Sequence, residues 1–217
     1  MKRNKEFSFE RKAPAREEKK TFLIVCEGKN TEPSYFNKFR LATATVKSVG
    51  EGYNTVTLIE RAKVLSEEKE YDRVWCVFDA DPKPDDKTWS KRFNDAIKLC
   101  RKYGFGFAYS NQAFEYWIIL HLDDHQGGSM DRKDYNKKIN SLLKPFKLKY
   151  DGNRSKLITD EIFEVLDGVD GSTKTERKVL AVKRAKKIYK RLDHKNPAKE
   201  DSSTTVYILV EELMKYI

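Results

Sequence analysis

Thr21-Phe22-Leu23-Ile24-Val25-Cys26-Glu27-Gly28-Lys29-Asn30 is the stretch on which the fold turns. Its apolar run does not alternate, so no side of the segment is left for water. It reads as a short strand buried on both faces, as in a parallel sheet. The turn-prone Glu27–Asn30 follows. Asn30 or Thr31 can cap a helix, Pro33 is tolerated in its first turn, and Tyr35, Phe36 and Phe39 give it an apolar face.

The same grammar recurs downstream. Arg73-Val-Trp-Cys-Val-Phe78 is a second apolar run, and it ends at Asp79-Ala80-Asp81-Pro82, where Pro82 and Pro84 stop the strand. Trp89 to Tyr103 has helical spacing, with Phe93, Ala96, Ile97 and Cys100 on one side and Gly104 as its C-cap. Phe105 to Tyr109 is another short strand. Ser110-Asn111 then precedes a helix from about Ala113 to Asp124, which Gly127-Gly128 ends. Between the first two units, Thr55-Val-Thr-Leu-Ile59 is a β-branched run of strand type, and Arg61 to Glu70 looks helical. Alternating strands and helices imply an α/β fold: a mostly parallel central sheet with helices on both faces. Residues 1–20 read as a flexible basic arm and 21–128 as the α/β core. Residues 129–217 read as a basic helical region packed on that core, either a layer on the same sheet or a small subdomain.

Composition bounds the function. Charged residues make up 36% and hydrophobic ones only 39%, yet 12 Phe, 11 Tyr and 3 Trp supply enough burial to argue against disorder. Net charge is +10 and unevenly spread: residues 174–199 hold 11 Lys/Arg against 2 acids. Such clustering suits a polyanion, although a merely solvated surface gives the same count. Cys26, Cys76 and Cys100 are few and far apart, without CxxC, so disulfide and zinc-ribbon readings are weak. No apolar run approaches the roughly 20 residues of a membrane span, and the polar N-terminus has no signal-peptide core. The expectation is a cytoplasmic protein that engages no membrane.

Two of the strands end in acids. Functional groups of open parallel sheets collect beyond the carboxyl ends of strands. If these strands are neighbours, Glu27, Asp79 and Asp81 meet there. The Asp-x-Asp spacing puts both side chains on one side of an extended backbone. Oxygen-only clusters suit Mg²⁺ or Mn²⁺, and a metal beside a phosphate can polarise it and position water. Glu27 could act as general acid or base. The plain alternative for Asp79 and Asp81 is a polar exit from a strand.

Three blocks carry a resemblance: Ile24-Val-Cys-Glu-Gly-Lys-Asn-Thr-Glu-Pro33, Val77-Phe-Asp-Ala-Asp-Pro82 and Tyr109-Ser-Asn-Gln-Ala-Phe-Glu-Tyr-Trp-Ile-Ile-Leu-His121. In this order they resemble the RloB-like family over roughly residues 20–125, and more loosely over the C-terminal helices. That family is similar to Toprim domains, the sheet shared by topoisomerases, primases and OLD-type nucleases. The resemblance implies that Glu27 is the Toprim glutamate and that Asp79 and Asp81 hold metal. It also implies bacterial defence against phage by abortive infection, with nuclease action on RNA such as tRNA or on DNA. An ATPase or another defence-system subunit is the implied partner. No strand-passage machinery or nucleophilic Tyr aligns, which sets topoisomerase activity aside. The alternative class is a non-catalytic nucleic-acid-binding sensor or regulatory subunit of a defence complex.

Supporting residues follow by placement. Glu115, in the first turn of a helix that follows a strand, would point back over the strand ends as ligand or water orienter; otherwise it compensates the helix dipole. Asn111 is a cap or a substrate contact. Lys29 could neutralise a phosphate or be an exposed loop lysine. Glu32 joins the site or favours its helix start. His121 and His125 are spaced for zinc on a helix, but no third ligand is evident and a packed core histidine is simpler. Gly28-Lys29 lacks the glycine cradle of a P-loop, since position 23 is Leu23. On the late helix, Lys183, Arg184, Lys186, Lys187, Lys190 and Arg191 crowd one side, either as a surface tracking nucleic-acid phosphates or as a solvated face.

Overall fold

The computed structural model describes residues 20–39, 44–48, 55–82 and 85–217, with 44–48 as backbone only. The basic arm falls outside the described residues except for Lys20. Five strands form one open sheet in the order β2-β1-β3-β4-β5. They are β1 Phe22–Cys26, β2 Ala44–Ser48, β3 Arg73–Asp79, β4 Gly106–Asn111 and β5 Ser203–Thr204. The first four pair in parallel, and the two-residue β5 runs antiparallel to β4. The α/β expectation therefore stands, and the topology is consistent with a Toprim-like fold.

Period-two geometry sends each strand's side chains to two cores. Phe22, Ile24 and Cys26 of β1 join Trp75 and Val77 of β3 and Ala108 of β4 on one face. Leu23, Val25, Cys76, Phe78 and Tyr109 face the other way. Five residues of β1 are fully buried, which explains why the opening run does not alternate. At roughly 1.5–3 kcal/mol for each large apolar side chain buried, this strand anchors both layers.

The second face is covered by α2 (Thr55–Glu68) and α3 (Trp89–Tyr103). The β-branched run at residues 55–59 is thus the first turn and a half of a helix, not strand-like. Leu58, Ile59, Ala62 and Leu65 are its buried residues. Their spacing of one, three and three makes an apolar stripe that outweighs the local preference of Val and Thr for strands. The strand on that side is β2, upstream, a sheet edge with too few apolar residues to signal itself. In α3, Phe93, Ala96, Ile97 and Cys100 are buried, and Gly104 (φ 71°) ends the helix. The Gly104 N–H donates to the Arg101 carbonyl (3.2 Å) and the Phe105 N–H to Cys100 (2.9 Å), the bond pair of a Schellman motif.

The first face carries α1 (Thr31–Asn37), α4 (Glu115–Leu122), α5 (Arg132–Leu143), α6 (Asp160–Asp167), α7 (Arg177–Tyr189) and α8 (Val206–Leu213). The residues after 128 are integral to this layer: they supply β5, and Glu212 accepts a hydrogen bond from the Trp75 indole N–H (2.9 Å). Helix α4 is almost wholly buried, with Tyr116 through His121 sealed from solvent. No helix among the described residues is long and apolar enough to cross a membrane.

Gly104 and Gly171 make a matched pair, because an added Cβ meets nothing within 4 Å at either, yet only Gly104 has positive φ. Gly104→Ala is expected to cost about 1 kcal/mol or slightly more in urea unfolding, and Gly171→Ala to stay within about 0.5 kcal/mol.

Candidate active site

Beyond the carboxyl ends of β1, β3 and β4 the ladder continues for several residues. The Glu27 N–H donates to the Val77 carbonyl (2.9 Å), the Ala80 N–H to Ser110 (2.9 Å) and the Asp81 N–H to Gln112 (3.1 Å). This extra pairing brings the two acid-bearing turns together. The Glu27 carboxylate accepts from the Asp79 backbone N–H (3.2 Å), so the first acid is held by the backbone of the second.

Helix α1 adds a third carboxylate. Glu32 is buried and accepts from the Gly28 N–H (3.2 Å). A Cβ on Gly28 would lie 2.3 Å from Glu32 Oε2, so a larger residue there would displace this carboxylate. Burial, then the charges of Glu115 and Glu27, push the Glu32 carboxyl up to about 7. Helix α4 adds Glu115 in its first turn, and Glu115 Oε1 accepts from the Tyr150 hydroxyl (3.0 Å). Tyr150 is buried, and its oxygen lies 3.3 Å from Thr31 Oγ1, which donates to it because the phenol proton is already spent on Glu115.

Asp79 sits where these charges overlap. Burial and then the Glu32 charge drive its carboxyl well above the usual carboxylate range; Arg132 pulls down, and Glu115 and Glu27 push up. Its Oδ1 is buried without a hydrogen-bond partner among the described residues. Asp81 leaves the extended path with a left-handed backbone (φ 38°) and is ion-paired with Arg132, the first residue of α5. Arg132 in turn is fixed by its own N–H, which donates to Gln112 Oε1 (3.0 Å).

Five carboxylates and one guanidinium thus share one strand-end site. A sealed, partnerless carboxylate oxygen among like charges is costly unless a cation or proton satisfies it. The donor set is all oxygen, which fits a hard divalent ion. As they stand, no three His, Cys, Asp or Glu side chains among the described residues converge closely enough to grip an ion. Glu27 is joined to Asp79 through the Asp79 N–H, while Asp81 is engaged by Arg132.

A family model described as RloB-like protein matches residues 22–213. The chain belongs to the RloB-like protein family. No curated protein and no solved structure matches it. The RloB-like match runs from the first residue of β1 to the last of α8, so the C-terminal layer lies inside the family unit as well as the strand-end acids. Arg132 and Tyr150, which the sequence did not single out, lie within it too. Arg132 sits in Lys-rich helical texture and Tyr150 in a loop, and nothing local distinguishes either from a surface residue.

The remaining predicted residues fall elsewhere. Lys29 is exposed in the turn after Glu27. Asn111 is buried; its amide donates to the carbonyls of Pro197 (2.7 Å) and Glu200 (3.2 Å). It ties β4 to the 197–200 segment, and neither caps α4 nor reaches the site. His121 is a core residue whose two ring nitrogens are both taken. Nδ1 meets the Trp117 carbonyl (2.9 Å) and must donate; Nε2 meets the Tyr35 hydroxyl (3.1 Å) and so accepts. Burial pulls its pKa to about 4, and no lone pair remains for zinc.

On α7, Arg184 donates to the Leu120 carbonyl (2.7 Å), Lys187 to Gln126 Oε1 (2.9 Å) and Arg191 to the Gln126 carbonyl (2.6 Å), while Lys186 pairs with Glu211. Lys183 and Lys190 are exposed. The Leu120 and Gln126 contacts lie at or just beyond the C-terminal end of α4, where cations complement the helix dipole, whereas Glu211 belongs to α8. The acids lie at the other end, a helix length of about 12 Å away.

The strained carboxylate set gives a pH signature. Glu32 titrates near 7 folded and near 4.5 unfolded, so the folded chain binds more protons between those values and loses stability as pH rises. Glu32→Gln, which keeps the acceptor for Gly28, is expected to stabilise the metal-free protein at pH 8 by on the order of 2 kcal/mol. The gap should close at pH 4 when both are followed by chemical denaturation.

Proposed function

We propose that this chain is a Mg²⁺- or Mn²⁺-dependent nuclease that hydrolyses phosphodiesters of RNA, such as tRNA, or of DNA. The observation that carries the reading is the Asp79 carboxylate: a sealed, partnerless oxygen among Glu27, Glu32 and Glu115. Carboxylates that repel one another at a strand-end site store a demand for a divalent cation. The metal, when bound, would neutralise a phosphate and lower the pKa of its water.

The protein's own groups divide the remaining work. Asp79 and Asp81 would hold the ion together with Glu27. Glu27, positioned by the Asp79 N–H, would also serve as general acid or base. Glu115, oriented by Tyr150, would align water. Arg132, once released from Asp81, would meet a non-bridging phosphate oxygen with its fork of donors. Lys29, exposed in the turn, would approach the same substrate. A role in abortive infection, beside an ATPase or another defence subunit and in the cytoplasm, rests on RloB-like membership and on three buried, unpaired-by-disulfide cysteines.

A second reading has its own observation. Arg132 already supplies a cation to Asp81, as a charge-balanced, non-catalytic nucleic-acid-binding sensor or regulatory subunit would need. Metal decides between them. Purified protein with Mn²⁺ is expected to cleave at least one of single-stranded RNA, tRNA and duplex DNA. Asp79→Ala should reduce that cleavage by about a hundredfold or more, about 3 kcal/mol of lost charge stabilisation. Full cleavage by Asp79→Ala would sink the metal assignment. Calorimetry showing no Mg²⁺ or Mn²⁺ binding, with nucleic acid still bound, would favour the sensor.

A further inference from the structure

The site is bracketed by one limb of the structure. Helix α5 starts at Arg132, which pairs with Asp81, and the chain re-enters the site at Tyr150, whose hydroxyl bonds Glu115. The loop between them is clipped back onto α5. Asn140 Oδ1 accepts from the Tyr150 N–H (2.8 Å), and its amide donates to the Tyr150 carbonyl (2.9 Å). Asn136 Oδ1 accepts from the Gly152 N–H (3.2 Å). A Cβ at Gly152 would lie 2.9 Å from that same oxygen, so the clip leaves no slack.

This limb is strongly basic. Residues 132–156 contain nine Lys/Arg against two acids. Lys137, Lys144, Lys147, Lys149 and Arg154 are exposed, and none of these five makes an ion pair among the described residues. Lys147 and Lys149 flank Leu148 and precede Tyr150, so their head groups lie within a few residues of a contact to the acid cluster. The predicted phosphate surface on α7 differs on both counts. Four of its six cations are bound to acceptors of the protein itself, three of them at or just beyond the far end of α4 and Lys186 at Glu211 of α8.

We propose that the phosphate backbone of a polynucleotide runs along α5 and the clipped 144–154 loop into the strand-end acids, and that α7 is chiefly structural. This rests on the reading of the partner as nucleic acid, and concerns where that partner lies. Unpaired cations on a backbone already clipped in place spare the ordering of that backbone and break no internal contact on meeting phosphates, and each one releases counterions. Cations already engaged internally must first break those contacts.

Two triple variants of the full chain test this with equal charge loss: Lys137→Gln/Lys147→Gln/Lys149→Gln on the limb, and Lys183→Gln/Lys187→Gln/Lys190→Gln on α7. Fluorescence anisotropy with a labelled single-stranded oligoribonucleotide, in EDTA, reads binding without metal or cleavage. Thermal midpoints check folding. The limb variant is expected to weaken binding by about tenfold or more and to lower the slope of log K against log salt by about 2. The α7 variant should stay within about twofold of the unmodified chain. Equal weakening of both, or greater weakening by the α7 variant, overturns the assignment while leaving the nucleic-acid partner in place. No binding by the unmodified chain of this probe or of a labelled duplex DNA removes the partner and the track together, whatever the metal site does.

Discussion

The parallel pairing of β1 with β3, carried one step past the strands, is the constraint on which the rest of the site depends. Glu27 donates its N–H to Val77 and receives the Asp79 N–H on its carboxylate. Two acids 52 residues apart in sequence are thereby fixed through backbone, the stiffest attachment a protein has. The pairing is itself enforced by burial. All five residues of β1 are sealed between two cores, and a slip of one residue would exchange every side chain between them. Hydrophobic packing far from the acids therefore determines where the acids stand.

Such an arrangement works against its own stability, and the surroundings show how it is held. Gly28 gives up its side chain to admit Glu32, Tyr150 spends its proton on Glu115, and Arg132 sets a positive charge against Asp81. One oxygen, Asp79 Oδ1, is left without such help. Local rules of satisfied polar groups are broken at one place only in this cluster, and violations of that kind collect at functional sites. Membership of the RloB-like family, which spans both the acids and the layer that supplies Tyr150 and Arg132, is in keeping with one cooperating unit.

The C-terminal layer also alters how the positive charge is understood. Counted along the chain, the densest basic segment is the one that includes α7. In space, much of α7's charge serves the C-terminal end of α4 and neighbouring acceptors. The more modest basic stretch from α5 through the 144–154 loop meets the acids through Arg132 and Tyr150, and Lys137, Lys144, Lys147, Lys149 and Arg154 are exposed along it. Charge density in sequence and charge available at a site are different quantities. The difference here is made by Gln126, Glu211 and the Leu120 carbonyl.

The sequence by itself determined the sheet class and the principal strand-end acids. A short non-alternating run such as Phe22–Cys26, bounded by turn-prone residues, reads as a buried strand, and a Glu or Asp next after it then lies at a strand end. The α3 stripe and its Gly104 cap were legible for the same reason: the signal is local and periodic. Residues 55–59 misled because their β-branched character is also local, while the burial of Leu58 and Ile59 that makes them helical is decided by α3 and the sheet. Locally Asn111 reads as a cap or substrate contact, yet its partners are carbonyls 86 and 89 residues away. Only tertiary structure decided the burial of Glu32, the pairing of Arg132 with Asp81, the reach of Tyr150 to Glu115 and the engagement of the α7 cations. Each depends on distances between segments far apart in the chain, and no pattern within one segment encodes them.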